Sequence, residues 1–285
     1  DGDTFAQAWR RVQRDRQARA VTIVIDLTPA LIGIGTILTA STLVWMISVR
    51  LEDASIADIC WGLGFVLLAW LYCLLSQTLT PRSWLVAVLI TLWGARLSLH
   101  IFRRNHGNGE DPRYRAMRVS HGRAFWWRSL FTVFWLQGAI LWFVALPLLV
   151  AVRASSPAAL TAVDGLGVLL FAVGFGFEVV GDYQLERFRG EPSNRGKVLD
   201  RGLWRYTRHP NYFGDATLWW GLYAIAAATP SGWLTVLSPA LMTFLLMRVS
   251  GVTLLEDELK ASKPGYHAYI TRTPAFFPWF PRVPR

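Results

Sequence analysis

Charge is scarce in this chain, and acid is scarcer than base. Of its 285 residues 17% are Asp, Glu, Lys or Arg, with 19 acidic against 29 basic, while 53% are hydrophobic. That balance excludes an ordinary soluble globular or disordered class and places the chain among membrane proteins. Cysteine occurs only at Cys60 and Cys73, in or beside apolar runs and too far apart for metal-ligand spacing. Neither a disulfide framework nor a zinc site follows from such a pair, and no metal is expected. No G-x-G-x-x-G follows a strand pattern, so a Rossmann domain is excluded as the source of any nucleotide site. Internal repeats, low-complexity tracts and a soluble second domain are also missing. So is the order of a secretory signal: Arg10 to Arg19 form a long charged stretch with no prompt small-residue cleavage pattern, and the first apolar run is expected to be retained.

What is abundant is apolar sequence. A helix needs about twenty such residues to cross a hydrocarbon core roughly 30 Å thick. Seven stretches approach that length, near Val21 to Val49, Cys60 to Leu79, Trp84 to Phe102, Leu130 to Val152, Ala162 to Tyr183, Tyr212 to Ala228 and Trp233 to Leu255. The expected fold is all-α, a polytopic bundle of about seven transmembrane helices. Residues 1–20 form a basic tail, and 21–285 a single membrane-embedded domain. Trp84, Trp126, Trp127, Trp233 and Trp279 fall near predicted boundaries, as interfacial aromatics do, while Trp61, Trp93, Trp135 and Trp219 fall deeper, where core packing is their expected use.

Net charge is +10, but the arginines sit in short clusters between apolar runs, where they suit headgroups or a phosphate-bearing ligand better than nucleic acid. Arg103 to Arg128 holds seven Arg, and Glu186 to Arg208 holds six Arg and one Lys. Seven spans put both clusters on one side, which the positive-inside rule makes cytoplasmic. The same parity puts the N-terminus outside although residues 1–20 carry five Arg; either this tail is an exception to the rule, or the long first segment does not cross just once.

The densest polar run is Gly202-Leu203-Trp204-Arg205-Tyr206-Thr207-Arg208-His209-Pro210-Asn211-Tyr212-Phe213-Gly214-Asp215. Polar groups at a bilayer boundary are costly without partners, so the run reads as a binding surface. Upstream, Glu178 and Asp182 are four residues apart on one helix face, close to Gln184 and Arg189. Their structural alternative is an intrahelical ladder with Arg187 or Arg189. Arg187, Arg189, Arg195, Lys197, Arg201, Arg205 and Arg208 favour a phosphorylated ligand, because guanidinium groups bind phosphate oxygens in pairs. For any single one of them the positive-inside signal is the better explanation, and it is the cluster together with Tyr206, Asn211 and Asp215 that points to a ligand.

These residues resemble the integral-membrane steroid 5-alpha-reductase family, in particular its bacterial branch. The likeness rests on Glu178-x-x-x-Asp182 with Arg189, on Gly202-Leu203-Trp204-x-Tyr206-x-Arg208-His209-Pro210-Asn211-Tyr212-x-Gly214-Asp215, and on Glu256 to Glu258 followed by Tyr266-x-x-Tyr269 and a Pro-aromatic ending. Asp58-Ile59-x-Trp61-Gly62-Leu63-Gly64 and Asn108 to Tyr114 look like the bacterial branch specifically. The resemblance implies an NADPH site on the cytoplasmic side of a bacterial inner-membrane protein, with its cofactor half at 162–285. By motif position Asp182 and Arg189 would contact the cofactor, Asn211 and Asp215 the nicotinamide or ribose, and Tyr269 the adenosine phosphates. Glu178, Tyr206, Arg208, His209, Tyr212 and Glu258 complete that implied set.

The same C-terminal pattern is similar to the related isoprenylcysteine and phospholipid methyltransferases, which makes S-adenosylmethionine the rival cofactor. A non-catalytic scaffold would not need Asn, Asp, His and Tyr gathered at one depth. The favoured reading is hydride transfer to an activated, enone-like C=C of a lipophilic, steroid-like or other polycyclic substrate, with membrane lipids as the surroundings and no nucleic-acid partner. Here the family's donor pair fails to map. Its third-helix Tyr is replaced by Leu99-His100-Ile101-Phe102. The candidates for the proton donor are therefore Asp58, His100, Glu110 and Tyr114. Their structural alternatives are a helix cap for Asp58, a packing residue for His100 and a solvated turn for Glu110. Gln137, alone in the fourth span, either faces the cavity or bonds a neighbouring helix.

Overall fold

A computed structural model describes residues 26–249, 252, 256, 259, 260 and 262–282. The basic tail 1–20 and Glu258 lie outside the described residues. Those described form an all-helical bundle with no strand: α1 (Thr28–Leu51), α2 (Ile56–Leu74), α3 (Pro81–Asn105), α4 (Pro112–Val144), α5 (Leu146–Arg153), α6 (Ala162–Gly190), α7 (Pro210–Ala227), α8 (Gly232–Val249) and the short α9 (Tyr266–Arg272). Six of them, α1, α2, α3, α4, α6 and α8, are long and apolar enough to cross a membrane.

The helix boundaries follow local chemistry. At the start of α3, the Thr80 side chain accepts from the Ser83 backbone N–H and the Ser83 side chain bonds back to Thr80 N; Thr161 and Asp164 repeat that reciprocal cap at α6. Proline at the first helical position begins α3, α4 and α7, where its missing N–H costs nothing. The second span ends at Leu74, five residues short of its expected limit, because the chain must turn into the Thr80 cap. The fourth begins far earlier than Leu130: a ten-residue amphipathic helical segment at Pro112–His121 feeds it through a short 3-10 turn, one α-helical turn and a π-helical stretch at Leu130–Trp135.

One expectation changes in kind. The sixth stretch, now α7, is not among the six apolar spans, because it is the centre of the bundle rather than a lipid-facing helix. Nine of its 18 residues are buried, against four of 24 in α1. Protein neighbours, not lipid, cover its polar groups, so low hydropathy is tolerated there. It lies against α6 along a glycine seam: a Cβ on Gly174 would come within 2.5 Å of the Gly214 carbonyl, and one on Gly221 within 2.6 Å of the Gly167 carbonyl. Small residues at this spacing let two backbones meet. Phe65, Trp93 and Trp219 then fill the space between α2, α3 and α7 with ring centroids 4.7 to 5.5 Å apart.

The connections sort into two ends. At one, Ala54 N donates to Glu110, Asp111 N donates to Ser55, and Lys263 reaches the Lys197 carbonyl. At the other, Arg153 reaches the Leu75 carbonyl and the Asp26 carboxylate, and Ser83 the Val152 carbonyl. Both arginine-rich connections belong to the first end, as their spacing along the chain predicts.

Candidate functional site

Three residues on one face of α3 organise the interior. Trp93 Nε1 donates to Glu178 Oε2 at 2.9 Å, Arg96 donates to Glu178 Oε1 at 2.7 Å and to Asp182 Oδ2 at 2.6 Å, and His100 Nε2 lies 3.5 Å from Asp182 Oδ2. Asp182 Oδ1 in turn accepts from the Asn211 amide at 3.0 Å. The two carboxylates are therefore not an intrahelical ladder with Arg187 or Arg189; they clamp α3 onto α6 and, through Asn211, onto the first turn of α7. A buried charge needs this kind of multiple pairing to be tolerated.

In front of that clamp a cavity of about 630 Å³ opens at the arginine-rich end, within the range of small-molecule sites. One wall carries Asp58, Trp61, Tyr114 and Gln137; the opposite wall carries Arg189, Arg208, His209, Asn211, Tyr212, Asp215, Lys263 and Tyr269. Apolar side chains such as Leu97, Ile101, Ile140, Met242 and Leu246 lie between them.

The first wall holds a hydrogen-bonded relay. Gln137 Nε2 donates to the Tyr114 hydroxyl at 2.9 Å, Tyr114 donates to Asp58 Oδ1 at 2.6 Å, and Arg113 donates to Asp58 Oδ2 at 2.7 Å. Asp58 sits in the first turn of α2, where the helix dipole favours its charge. Asp111, the N-cap of α4, fixes Arg113 from the other side at 2.9 Å. Of the two alternatives for Gln137 the cavity-facing one holds: it lines the cavity, and its side-chain bond goes to Tyr114 on its own helix rather than to a neighbouring one.

The second wall is built on the polar run. Gly202 turns with φ of +62°, which brings Leu203 N to within 3.0 Å of the Gln184 amide oxygen. Trp204, Thr207 and Arg208 then bond the C-terminal segment: Tyr269 donates its hydroxyl to the Trp204 carbonyl, Thr207 Oγ1 donates to the Phe276 carbonyl at 2.8 Å, and Arg208 N donates to the Pro274 carbonyl at 2.9 Å. Arg208 also donates to both oxygens of Glu256, at 2.7 and 3.1 Å, and to the Ile270 and Thr273 carbonyls. His209 meets Glu256 Oε1 at 3.2 Å and stacks on Tyr212, with centroids 5.4 Å apart. Burial pushes the Glu256 carboxyl up, but hydrogen bonds from His209 and Arg208 outweigh it and hold the group down at about 2. Burial raises the Tyr269 phenol and brings that of Tyr266 up to about 12.

One polar atom on this wall lacks a close partner. Asp215 Oδ1 is buried without a hydrogen-bond partner although the residue lines the cavity, and the Trp219 indole N–H, which faces it from the next turn of α7, is too far to close the bond fully. A buried acceptor with no partner is costly, and a donor arriving in the cavity would relieve it. The lining cations Arg104, Arg113, Arg189, Arg208 and Lys263 outnumber the lining carboxylates Asp58, Asp111 and Asp215.

The sequence-derived candidates therefore divide. Asp58, Tyr114, Arg189, Arg208, His209, Asn211, Tyr212, Asp215 and Tyr269 meet at one cavity. Glu178, Asp182, His100, Glu110 and Tyr206 are not among its lining residues. Glu178 and Asp182 spend their oxygens on Trp93, Arg96 and Asn211, and His100 lies beside Asp182. Glu110 is a strut: it accepts from Ala54 N at 2.9 Å and twice from Arg118. Burial raises its carboxyl, yet those hydrogen bonds leave it below the usual range. Tyr206 takes the Trp279 N–H on its carbonyl and rests its ring near Phe280. Arg96 and Gln137 are the site residues that motif reasoning passed over or left undecided. The signal for Arg96 was a lone arginine inside an apolar span, on the helix face that also carries Trp93 and His100. Among the described residues no group of three His, Cys, Asp or Glu could hold a metal ion.

With this geometry in hand, comparison with known proteins gives a family without an assigned activity. The family described as a protein of unknown function, DUF1295, matches residues 44–273, a span that contains both walls of the cavity. An uncharacterized protein of Schizosaccharomyces pombe is 26% identical over 281 residues, covering 89% of this chain and 80% of that protein. No solved structure matches.

Proposed function

The chain belongs to the DUF1295 family, and we propose that it is an NADPH-dependent reductase of the bacterial inner membrane. It acts on an activated C=C of a lipophilic substrate, with its cofactor wall on the cytoplasmic side. The observation that carries this reading is a cavity in which a hydroxyl relay faces a cationic wall. NADPH fits that second wall on two counts: its phosphates suit Arg189 and Lys263, with Arg104 of α3 also lining the cavity, and a nicotinamide N–H suits the Asp215 oxygen. When bound, the cofactor supplies the hydride.

The chain's own residues supply the rest. The Tyr114 hydroxyl turns from Asp58 to a substrate carbonyl oxygen and gives up its proton there as negative charge gathers. Gln137, already donating to the Tyr114 oxygen, stabilises the phenolate left behind, and Arg113, which holds the Asp58 carboxylate, balances the charge of that pair. Leu97, Ile101, Ile140, Met242 and Leu246 keep water from the reacting atoms. The test is mass spectrometry of the small molecule retained by purified protein. NADPH or NADP is expected, whereas S-adenosylmethionine or its demethylated product would replace this reading with the methyltransferase one.

A further inference from the structure

The C-terminal segment after α9 has an unusual surface. Phe277, Trp279 and Phe280 are 67%, 72% and 71% exposed, three large apolar side chains within four residues. Soluble surfaces seldom carry such a patch without a partner. No helix runs through it, so it does not cross the membrane. Its level is fixed by a ladder of rings: Phe177 on α6 meets Phe213 on α7 at 5.1 Å, and Phe213 meets Phe277 at 6.3 Å. The lipid-facing surface of the spans therefore continues onto the segment where the first turn of α7 emerges. Arg205 and Arg282 are exposed beside it, with the half-buried Arg272 paired to Asp200 between them: Arg282 N donates to the Arg272 carbonyl, and Thr273 Oγ1 to the Arg205 carbonyl. Aromatic rings flanked by guanidinium groups, at the level where helices leave the bilayer, are the chemistry of an interface rich in anionic headgroups.

The same segment is strapped to the cavity wall. Trp279 N donates to the Tyr206 carbonyl at 2.9 Å, Thr207 Oγ1 to the Phe276 carbonyl and Arg208 N to the Pro274 carbonyl. We propose that Phe277–Arg282 is an interfacial anchor for anionic phospholipid, and that its backbone bonds to Tyr206–Arg208 couple that lipid surface to the wall of the cavity. The lipid thereby stabilises the polar run against local opening. This inference rests on membrane residence and on the geometry of the strap, and it stands whichever cofactor the cavity takes.

The test uses the full chain in nanodiscs of phosphatidylcholine, with and without roughly one-third phosphatidylglycerol. A polarity-sensitive fluorophore is placed at Phe280→Cys in a Cys60→Ala, Cys73→Ala background. Its emission should shift to the blue with the anionic lipid and return in high salt. Equal emission in both lipids would overturn the anchor, and so would a shift that depends on protein concentration, which would assign the patch to a second copy. Coupling is read by hydrogen exchange of the peptide 203–213, with α2 as the internal control for folding. Trp279→Ala with Phe280→Ala leaves every strap donor in place, yet should speed that exchange about tenfold in anionic nanodiscs. Arg205→Glu with Arg282→Glu should do the same. Unchanged protection in both variants would overturn the coupling.

Discussion

Each end of the bundle buries an arginine against a carboxylate, and the two pairs have opposite surroundings. At the end away from the cavity, Arg82 donates to both Asp164 oxygens at 2.7 and 2.8 Å and to the Pro157 and Ala159 carbonyls, while Thr161 supplies the remaining donors to Asp164. Arg82 and Asp164 are 0% and 1% exposed, so the cluster is sealed and complete. At the cavity end, Arg208 and Glu256 form an equally close pair, yet Arg208 lines a large cavity and Asp215 nearby keeps an oxygen with no partner. A saturated network fixes helices; an unsaturated one beside open space is equipped to take a ligand.

If that contrast is right, damage at the two ends should differ in kind. The largest effect belongs to Arg82→Met, which strands a buried Asp164 carboxylate. It should cost about 3–5 kcal/mol, read as a lower Tm in nanodiscs, and leave ligand affinity at low temperature unchanged. Tyr114→Phe should do the reverse. Turnover should fall by about 10²–10⁴-fold with Tm and NADPH affinity preserved, and a turnover equal to that of the wild type would remove Tyr114 from the chemistry.

A middle effect is expected at Glu256. Its carboxyl lies at about 2 in the folded protein against 4.5 unfolded, so its stabilising contribution is complete above pH 4.5 and is lost as pH falls toward 2. Unfolding followed against pH should show an acid-side loss that Glu256→Gln abolishes, and an identical acid limb in that variant would contradict the assignment. The smallest effect is at Gln137→Leu, which removes one donor to the Tyr114 oxygen. A turnover loss of about five- to tenfold with unchanged cofactor affinity is the expected result.

The sealed and open ends were not equally legible in the sequence. Of the seven expected spans six are long and apolar enough to cross among the described residues, whereas the all-helical class and the shared end of the arginine-rich connections, which follow from apolar length and parity, survive in the structure. So does the neighbourhood of Arg208, His209, Asn211, Tyr212 and Asp215, because residues at the start of one helix stay together whatever surrounds them. What a single sequence does not encode is the register between distant helices. Glu178 and Asp182 read as ligand groups because their partner Arg96 lies more than eighty residues earlier on α3, and nothing local links them. Arg82 and Asp164 escaped notice for the same reason. The capping residues Thr80 and Thr161 mark helix starts, but not that those starts meet. Tyr114 was recognisable as a polar side chain in an arginine-rich connection. Its place opposite Asn211 and Asp215 depends on the amphipathic turn that begins α4.

The most direct test of the open end as a dinucleotide site is a fluorescence titration of NADPH into the wild-type protein and Asp215→Leu, with S-adenosylmethionine as the competing titrant. Saturable NADPH binding that weakens in the variant and is not displaced by S-adenosylmethionine is the predicted result. Absent NADPH binding, or its displacement by S-adenosylmethionine, would contradict it.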